Sequence, residues 1–366
     1  MMRLIAKPVC RVLYALGVWQ MLLLLERQFG WRNHAVLLLY HHIRADDETL
    51  PHLSQVEEGV GQTAFEAQLR AFSRWYQPCK PAELHSALAG SSALKQDKLV
   101  VTFDDGYRDN RTLAGPVLRG HGVTGLIFIA TGYIESTRRF WWTRVNDVVR
   151  SFSDESLAVA RASSNGSSRL TPILARASVK DHSRRRDLRI RVAETLESLT
   201  DDCQQAELDR LECIAGRIAT QCLPLLNWSE IREMQREGFE FGAHTVTHPK
   251  LSRITANRLR EEIVQSVETL REETDVRSTA FAYPYGDSSP QVEAEVRQAG
   301  FEAAYAACPG AVVPGRTCRY KIPRIQLYAS DPAHLAVLIV GLKLSKYMPR
   351  LMRPVLSRFF GEPFEI

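Results

Sequence analysis

Two carboxylates, Asp104 and Asp105, stand side by side directly after the apolar run "LVVTF" (99–103). A buried run that ends in two like charges is costly unless a cation or a proton transfer makes use of them. Far along the chain, "HTVTH" places His244 and His248 four apart, a spacing that on a helical turn lets two imidazoles share one ion. Asp105 can supply a third ligand. Side chains alternate along an extended backbone, so the two aspartates are expected to diverge as the strand ends, one toward a cation and the other left as a base. Two histidines, one carboxylate and an open position make a hydrolytic zinc site by ligand type, and such an ion acidifies water or polarises a carbonyl. Two other runs also end in reactive groups: "LLLY" leads to His41 and His42, and "AFAY" leads to "PYGD".

Groups so widely separated act together only if the fold brings strand ends to one face. Short apolar runs recur: "AVLLLY" (35–40), "LVVTF" (99–103), "GLIFIA" (125–130), "FEFGA" (239–243), "STAFAY" (278–283), "FEAAYA" (301–306) and "RIQLY" (324–328). Length and residue type make them strands. Amphipathic stretches lie between them. In "NRLREEIVQSVETLREET" (257–274), Leu259, Ile263, Val267 and Leu270 fall on one helix face, and "WSEIREMQREG" (228–238) reads as a helix with Ser229 as N-cap and Gly238 as its stop. Alternating strands and helices imply an α/β fold with a mostly parallel sheet. Seven or eight such units imply a closed or nearly closed (β/α) barrel, TIM-barrel-like, whose strand C-termini open on one face. Residues 135–227 break the rhythm and read as a helical insertion on a barrel loop, with the arginines of "SRRRDLRIR" on a solvated helix face.

The 366 residues, 45% hydrophobic and 24% charged, suffice for one large domain or two modest ones. A net charge of +5 is mild, and no nucleic-acid-reading motif accompanies it, so no nucleic-acid partner is expected. Seven cysteines without C-x-x-C spacing favour a reducing compartment over a disulfide framework. The ends are less ordinary. "VLYALGVWQMLLLL" (12–25), flanked by Arg3, Lys7, Arg11, Arg27 and Arg32, is too short to span a bilayer and has no small-x-small cleavage site, so it fits an uncleaved interfacial helix. Residues 334–360 mix apolar runs with Lys343, Lys346, Arg350, Arg353 and Arg358, and Pro349 and Pro354 forbid one continuous helix. Contact with a membrane surface and packing of both ends on the core are the two readings.

"TFDDGY", "HTVTHP" and "FAYPYG", in this order, resemble the first three motifs of the polysaccharide deacetylases, carbohydrate esterase family 4. The resemblance covers roughly residues 35 to 330 outside the insertion. It implies a distorted (β/α)7–8 barrel, a divalent metal, and removal of acetyl groups from sugars. By position it makes Asp104 the general base, Asp105, His244 and His248 the metal ligands, and the backbone N–H of Tyr285 an oxyanion donor. The family's third motif carries an arginine that braces the catalytic aspartate, but this chain has Phe281 and Ala282 there; Arg324 in "IPRIQLY" could take that role. The late L-x-H motif is missing as well. Some members that act on poly-N-acetylglucosamine resemble a circular permutation with a leading "YH" strand, and on that pattern His41 is the general acid while His42 is a supporting or loop residue.

The expected organisation is an apolar, basic segment 1–33, a barrel over 34–330 with the insertion at about 135–227, and an apolar, basic helical segment 331–366. The expected function is metal-dependent N-deacetylation of a polysaccharide or lipid-linked saccharide, with zinc as the ion. The location is cytoplasmic or peripheral at a membrane, with an uncleaved anchor and an extracytoplasmic domain as the alternative. A non-catalytic carbohydrate-binding or exopolysaccharide-assembly protein on the same fold is the rival reading. A glycoside hydrolase is excluded, because Asp104 and Asp105 are adjacent and cannot flank a glycosidic bond at the roughly 5 to 9 Å required.

Overall fold

The leucine- and valine-rich runs form strands buried on both faces, as a parallel sheet between helices demands. The computed structural model describes residues 12, 14–29, 33–47, 59–162, 168–216, 218, 223–274, 279–327 and 332–345. Its strands are β1 (Ala35–Tyr40), β2 (Ile43–Arg44), β3 (Val60–Gly61), β4 (Gln77–Pro78), β5 (Lys98–Phe103), β6 (Gly125–Ile129), β7 (Glu240–Ala243), β8 (Ala280–Ala282), β9 (Ala303–Tyr305) and β10 (Ile325–Gln326). The main sheet is parallel throughout, in the order β10-β1-β5-β6-β7-β8-β9, with β4 beside β5; β2 and β3 pair separately.

The two edges of that sheet meet. Ile322, just before β10, bridges Tyr305 of β9 in parallel, and Ala306 N donates to Ile322 O at 2.8 Å. With β10 paired to β1, the sheet curls into a distorted barrel. The last strands are shorter than their apolar runs, three residues in β8 and β9 and two in β10. The ladder gives way there to single bridges.

Helices α1 (Val18–Phe29), α2 (Gln62–Ser73), α3 (Pro81–Leu88) and α4 (Gly115–Gly120) precede the insertion. Five more fill it: α5 (Trp141–Ser151), α6 (Asp154–Ala162), α7 (Thr171–Ala175), α8 (His182–Glu197) and α9 (Asp201–Ala215). They enclose a core of their own, in which Val148, Phe152, Leu157, Leu188, Val192 and Leu208 are buried. The insertion's ends meet where Glu135 Oε1 accepts from Trp228 N at 3.2 Å. Most of its arginines are exposed, but Arg189 is buried, and Arg185 Nη1 donates to the carbonyls of Val149, Arg150 and Phe152 at 2.8 to 3.1 Å. That guanidinium satisfies the carbonyls left open at the end of α5.

α10 (Trp228–Arg236), α11 (Ala256–Thr274), α12 (Pro290–Gln298) and α13 (Pro332–Ser345) complete the ring. Asn227, not Ser229, caps α10: its side chain accepts from Glu230 N, and the Glu230 carboxylate accepts from Asn227 N. This reciprocal box satisfies two amides, which a serine two places later cannot do. α13 packs on α1 and α2. Buried Lys343 on α13 reaches Asp97 Oδ2 at 2.5 Å, and Asp97 Oδ1 accepts from His34 N at 2.9 Å. The segment beyond 345, with Pro349 and Pro354, lies outside the described residues.

Lys343 thus ties α13 to the entry of β1 and β5. Lys343→Met is expected to lower stability by about 2–4 kcal/mol, because Asp97 keeps its charge in a buried site without its cation. Urea unfolding of the parent and variant measures the difference.

Candidate active site

Tyr40 lies opposite Phe103, so His41 and Asp104 leave the sheet side by side, with Asp104 N donating to Tyr40 O at 2.9 Å. The expected alternation of Asp104 and Asp105 does not hold. Asp105 has φ 73° and Gly106 φ 76°, so the aspartates diverge because the backbone turns left-handed, not because a strand continues. Aspartate tolerates that region better than most residues. A Cβ at Gly106 would lie 2.7 Å from Ile129 Cδ1, so glycine is required there.

Both Asp104 oxygens accept from Arg324, Nη1 to Oδ1 at 2.6 Å and Nη2 to Oδ2 at 2.8 Å, and Arg324 Nε donates to Ala306 O at 3.0 Å. The arginine side chain is 0% exposed. Burial opposes the charge on Asp104, but Arg324, His244 and His41 together outweigh it and hold the carboxyl down at about 2. Arg324 therefore braces the aspartate from β10, although the motif around Phe281 has no arginine.

"HTVTH" forms no helical turn. After β7 the chain runs as an irregular loop with Thr245 at φ 66° and His248 at φ 58°. Glu262 of α11 takes the place of helical hydrogen bonding, accepting from Val246 N at 2.9 Å, from Thr247 N at 2.8 Å and from the Thr247 hydroxyl. Thr245 Oγ1 accepts from His248 N at 2.9 Å, and Gly132 N donates to Val246 O at 2.9 Å. A buried carboxylate that satisfies three donors fixes a loop as firmly as a turn of helix would. The sequence reading missed Glu262. Its signal was an acid three residues after Leu259 and beside Ile263, on the face that should be apolar.

His244 Nδ1 faces Ala282 O at 2.8 Å; a carbonyl only accepts, so Nδ1 carries the proton and Nε2 presents a lone pair. That Nε2 lies 3.7 Å from Asp105 Oδ1 and 4.0 Å from Asp104 Oδ2, and His248 Nε2 lies 3.4 Å from Asp105 Oδ1. Ligand atoms of Asp105, His244 and His248 all fall within 4.8 Å of one another. Burial pushes both imidazoles down, His248 well below the usual histidine value, so both are neutral at neutral pH. Neutral imidazoles and carboxylates converging in a buried site suit a divalent cation in donor type and charge.

His41 is half-buried, with Nδ1 3.4 Å from Gln326 Nε2 on β10. Burial pushes it down to about 4; Asp104 pulls it up, and Arg324 and His244 push it further down. His42 serves a different purpose. Its Nδ1 pairs with Asp109 Oδ2 at 2.6 Å, Asp109 Oδ1 accepts from Ile43 N at 2.6 Å, and Asn110 Nδ2 donates to His41 O at 2.8 Å. These contacts staple the end of β1 to the loop after β5. Asp287 of "PYGD" is also structural, accepting from Ser252 N at 2.8 Å.

Tyr285 turns left-handed (φ 59°) after β8, and its ring lies 4.7 Å from that of His248, centroid to centroid. The insertion walls this side of the site. Trp141 Nε1 donates to the Tyr285 hydroxyl at 2.7 Å, and Trp142 lies edge-on to His248 at 5.0 Å. Ion pairs Lys250–Glu197 at 2.8 Å and Arg258–Asp201 at 2.5 Å join the loop after β7 and α11 to the insertion. No spacing rule foretold Trp141 and Trp142, because their contact depends on how the insertion docks.

Residues 193–304 match the family model described as polysaccharide deacetylase, a span that includes His244, His248, Glu262 and Tyr285 and begins after Asp104 and Asp105. No curated protein matches the chain in sequence. In structure it is similar to the deacetylase PplD of Streptococcus pyogenes in complex with acetate, at 16% identity and TM-score 0.54, covering 86% of this chain and 99% of that one. It is similar to IcaB from Ammonifex degensii at 17% identity and TM-score 0.52, covering 83% and 96% respectively. BC0361, a polysaccharide deacetylase from Bacillus cereus, aligns at 17% identity and TM-score 0.51 over 84% and 69%. At these identities the structural likeness is one of fold.

Removing one ligand, as in His244→Ala or Asp105→Ala, is expected to abolish stoichiometric divalent-ion binding in a calorimetric titration. Glu262→Gln should weaken it about 10- to 100-fold through the loop it holds. An affinity equal to the parent's would remove Glu262 from that role.

Proposed function

We propose that this chain is a deacetylase hydrolase of the polysaccharide deacetylase family and removes N-acetyl groups from amino sugars of a polysaccharide or lipid-linked saccharide with a divalent ion. One observation carries this reading: Asp105, His244 and His248 converge, and Asp104 is clamped ionised at their edge. Zinc is the ion whose preferences match two imidazoles, one carboxylate and an open position. When bound, it polarises the acetyl carbonyl and acidifies water. We read residues 34–330 as the barrel that carries these groups, the insertion at about 135–227 as one wall of the site, and 1–33 and 331–366 as its flanking segments, of which α1 and α13 pack on its core.

Asp104 takes the proton of the attacking water. Arg324 keeps that carboxylate charged and aimed, so it is a weak base but a well-oriented one. The backbone N–H of Tyr285 donates to the developing oxyanion. His41 delivers a proton to the departing nitrogen. Because His41 is neutral at rest, the proton that it delivers is the one that the attacking water gives up to Asp104, so the step needs no proton from outside. Trp141, Trp142 and Tyr285 offer aromatic faces to a sugar ring beside His248.

Acetate release from N-acetylglucosamine oligomers tests the reading. Asp104→Asn is expected to lower it about 10²- to 10⁴-fold while ion binding persists, and a chelator should abolish it until zinc is returned. Parent-like deacetylation by Asp104→Asn would sink the proposal.

The pH profile is a separate expectation. With His41 held near 4, and a bound cation pushing in the same direction, kcat/KM should show no loss between about pH 6 and 8 attributable to His41. A descending limb near neutrality that His41→Ala removes would mean that the imidazole rests charged.

A further inference from the structure

α1 has two apolar faces, and only one of them is used. Leu23 is buried among the core side chains, and Trp19 and Leu22 pack against the same core. On the other side Met21, Leu24 and Leu25 are 55, 57 and 48% exposed, and Val12 and Leu16, which precede α1 before the left-handed Gly17, are 57 and 72% exposed. Among the described residues only Val159 and Tyr285 are other large apolar side chains so exposed, and neither belongs to this segment. Single exposed leucines need no explanation, but a row along one short segment marks an interaction surface. Beside it lies a groove of about 260 Å³, lined by Tyr14, Leu23, Leu335 and Ile339 with exposed Arg70 and Arg74 at its rim.

Charge selects the occupant. Residues 1–32 contain five Arg or Lys and one Glu, and residues 346–366 contain four Arg or Lys and two Glu. These ends contribute +4 and +2, so residues 33–345 carry −1 of the chain's +5. The positive charge is thus concentrated in the segments that flank α1 and that follow α13, the helix packed on it. No helix among the described residues is long and apolar enough to cross a membrane. An exposed apolar row on a short helix, flanked by Lys and Arg, has the chemistry of an element that lies in the plane of an anionic bilayer.

We propose that the outer face of α1 docks on an anionic lipid surface, with Met21, Leu24 and Leu25 of the helix and Val12 and Leu16 just before it entering the acyl boundary. This surface is separate from the candidate active site and does not depend on the deacetylase reading.

Sedimentation of the full chain with vesicles tests it. Binding is expected to vesicles containing phosphatidylglycerol, weaker by about tenfold or more on phosphatidylcholine alone or at high salt. Leu16→Glu with Leu24→Glu and Leu25→Glu should lower binding about a hundredfold with an unchanged thermal midpoint, because these positions are exposed; Leu16→Glu alone should give a smaller loss in the same direction. Three results would overturn the proposal. One is equal vesicle binding by the triple variant and the parent. Another is a parent dimer without vesicle binding that the triple variant dissociates, which gives the face to a second copy. The last is binding that appears only after residues 346–366 are removed, which gives the face to the chain's own end.

Discussion

The site depends on one buried ion pair. Arg324 approaches from the segment that closes the sheet, donates to both oxygens of Asp104 on β5, and holds Ala306 O beyond β9 with its Nε. Its backbone N donates to Cys308 O at 2.9 Å, so the same residue stitches the last strands together. Taking both charges out of water is expensive, and removing either partner would leave a buried charge at a cost of about 3–5 kcal/mol. The pair therefore fixes geometry more than it adds stability. It joins the first and last parts of the barrel and sets the orientation of the carboxylate proposed as base.

Backbone strain gathers around that pair. Asp105, Thr245, His248 and Tyr285 all have positive φ, and each sits just past the end of β5, β7 or β8. Such conformations cost on the order of 1–3 kcal/mol each and persist only where the surroundings over-determine them. Glu262, the Thr245 hydroxyl and the backbone of Gly132 do this for the histidine loop. The histidines face inward because left-handed residues turn them there. A helical turn would have run its side chains along one face of a continuing helix.

Helices added to the barrel shape access and placement without entering the chemistry. The insertion has its own core yet reaches back through Trp141, Glu197 and Asp201 to the loops that carry His248 and Tyr285. At the other end of the strands, α13 is tied to Asp97 by Lys343, and α1 rests on α13. The candidate ligand site and the face proposed to dock on a lipid surface thus belong to separate features of one scaffold, the strand C-termini and α1.

Much of the fold was legible in the chain. Short β-branched and leucine runs alternating with amphipathic stretches identified the parallel barrel strands, because strands buried on both faces must be apolar throughout. The order of "TFDDGY", "HTVTHP" and "FAYPYG" pointed to Asp104, Asp105, His244 and His248, since reactive groups at strand ends stand out against the runs that carry them. The backbone that aims those groups was not legible. Alternation was the wrong reason for the divergence of Asp104 and Asp105, and helical spacing was the wrong reason for the meeting of His244 and His248, because the left-handed turns depend on partners distant in sequence. Glu262 sits within a helix pattern, Gln326 in a two-residue strand, and Asp109 at the start of the helical turn after β5, and only folding reveals which backbone amide or imidazole each one faces. The sequence by itself determined which side chains can do chemistry and which runs must be buried, because residue type fixes charge, ligand character and hydrophobicity. Tertiary structure alone decided that Arg324 would brace Asp104 across 220 residues and that Trp141 would reach Tyr285, because both contacts arise from closing a barrel and docking an insertion, and neither event leaves a periodic trace in the chain.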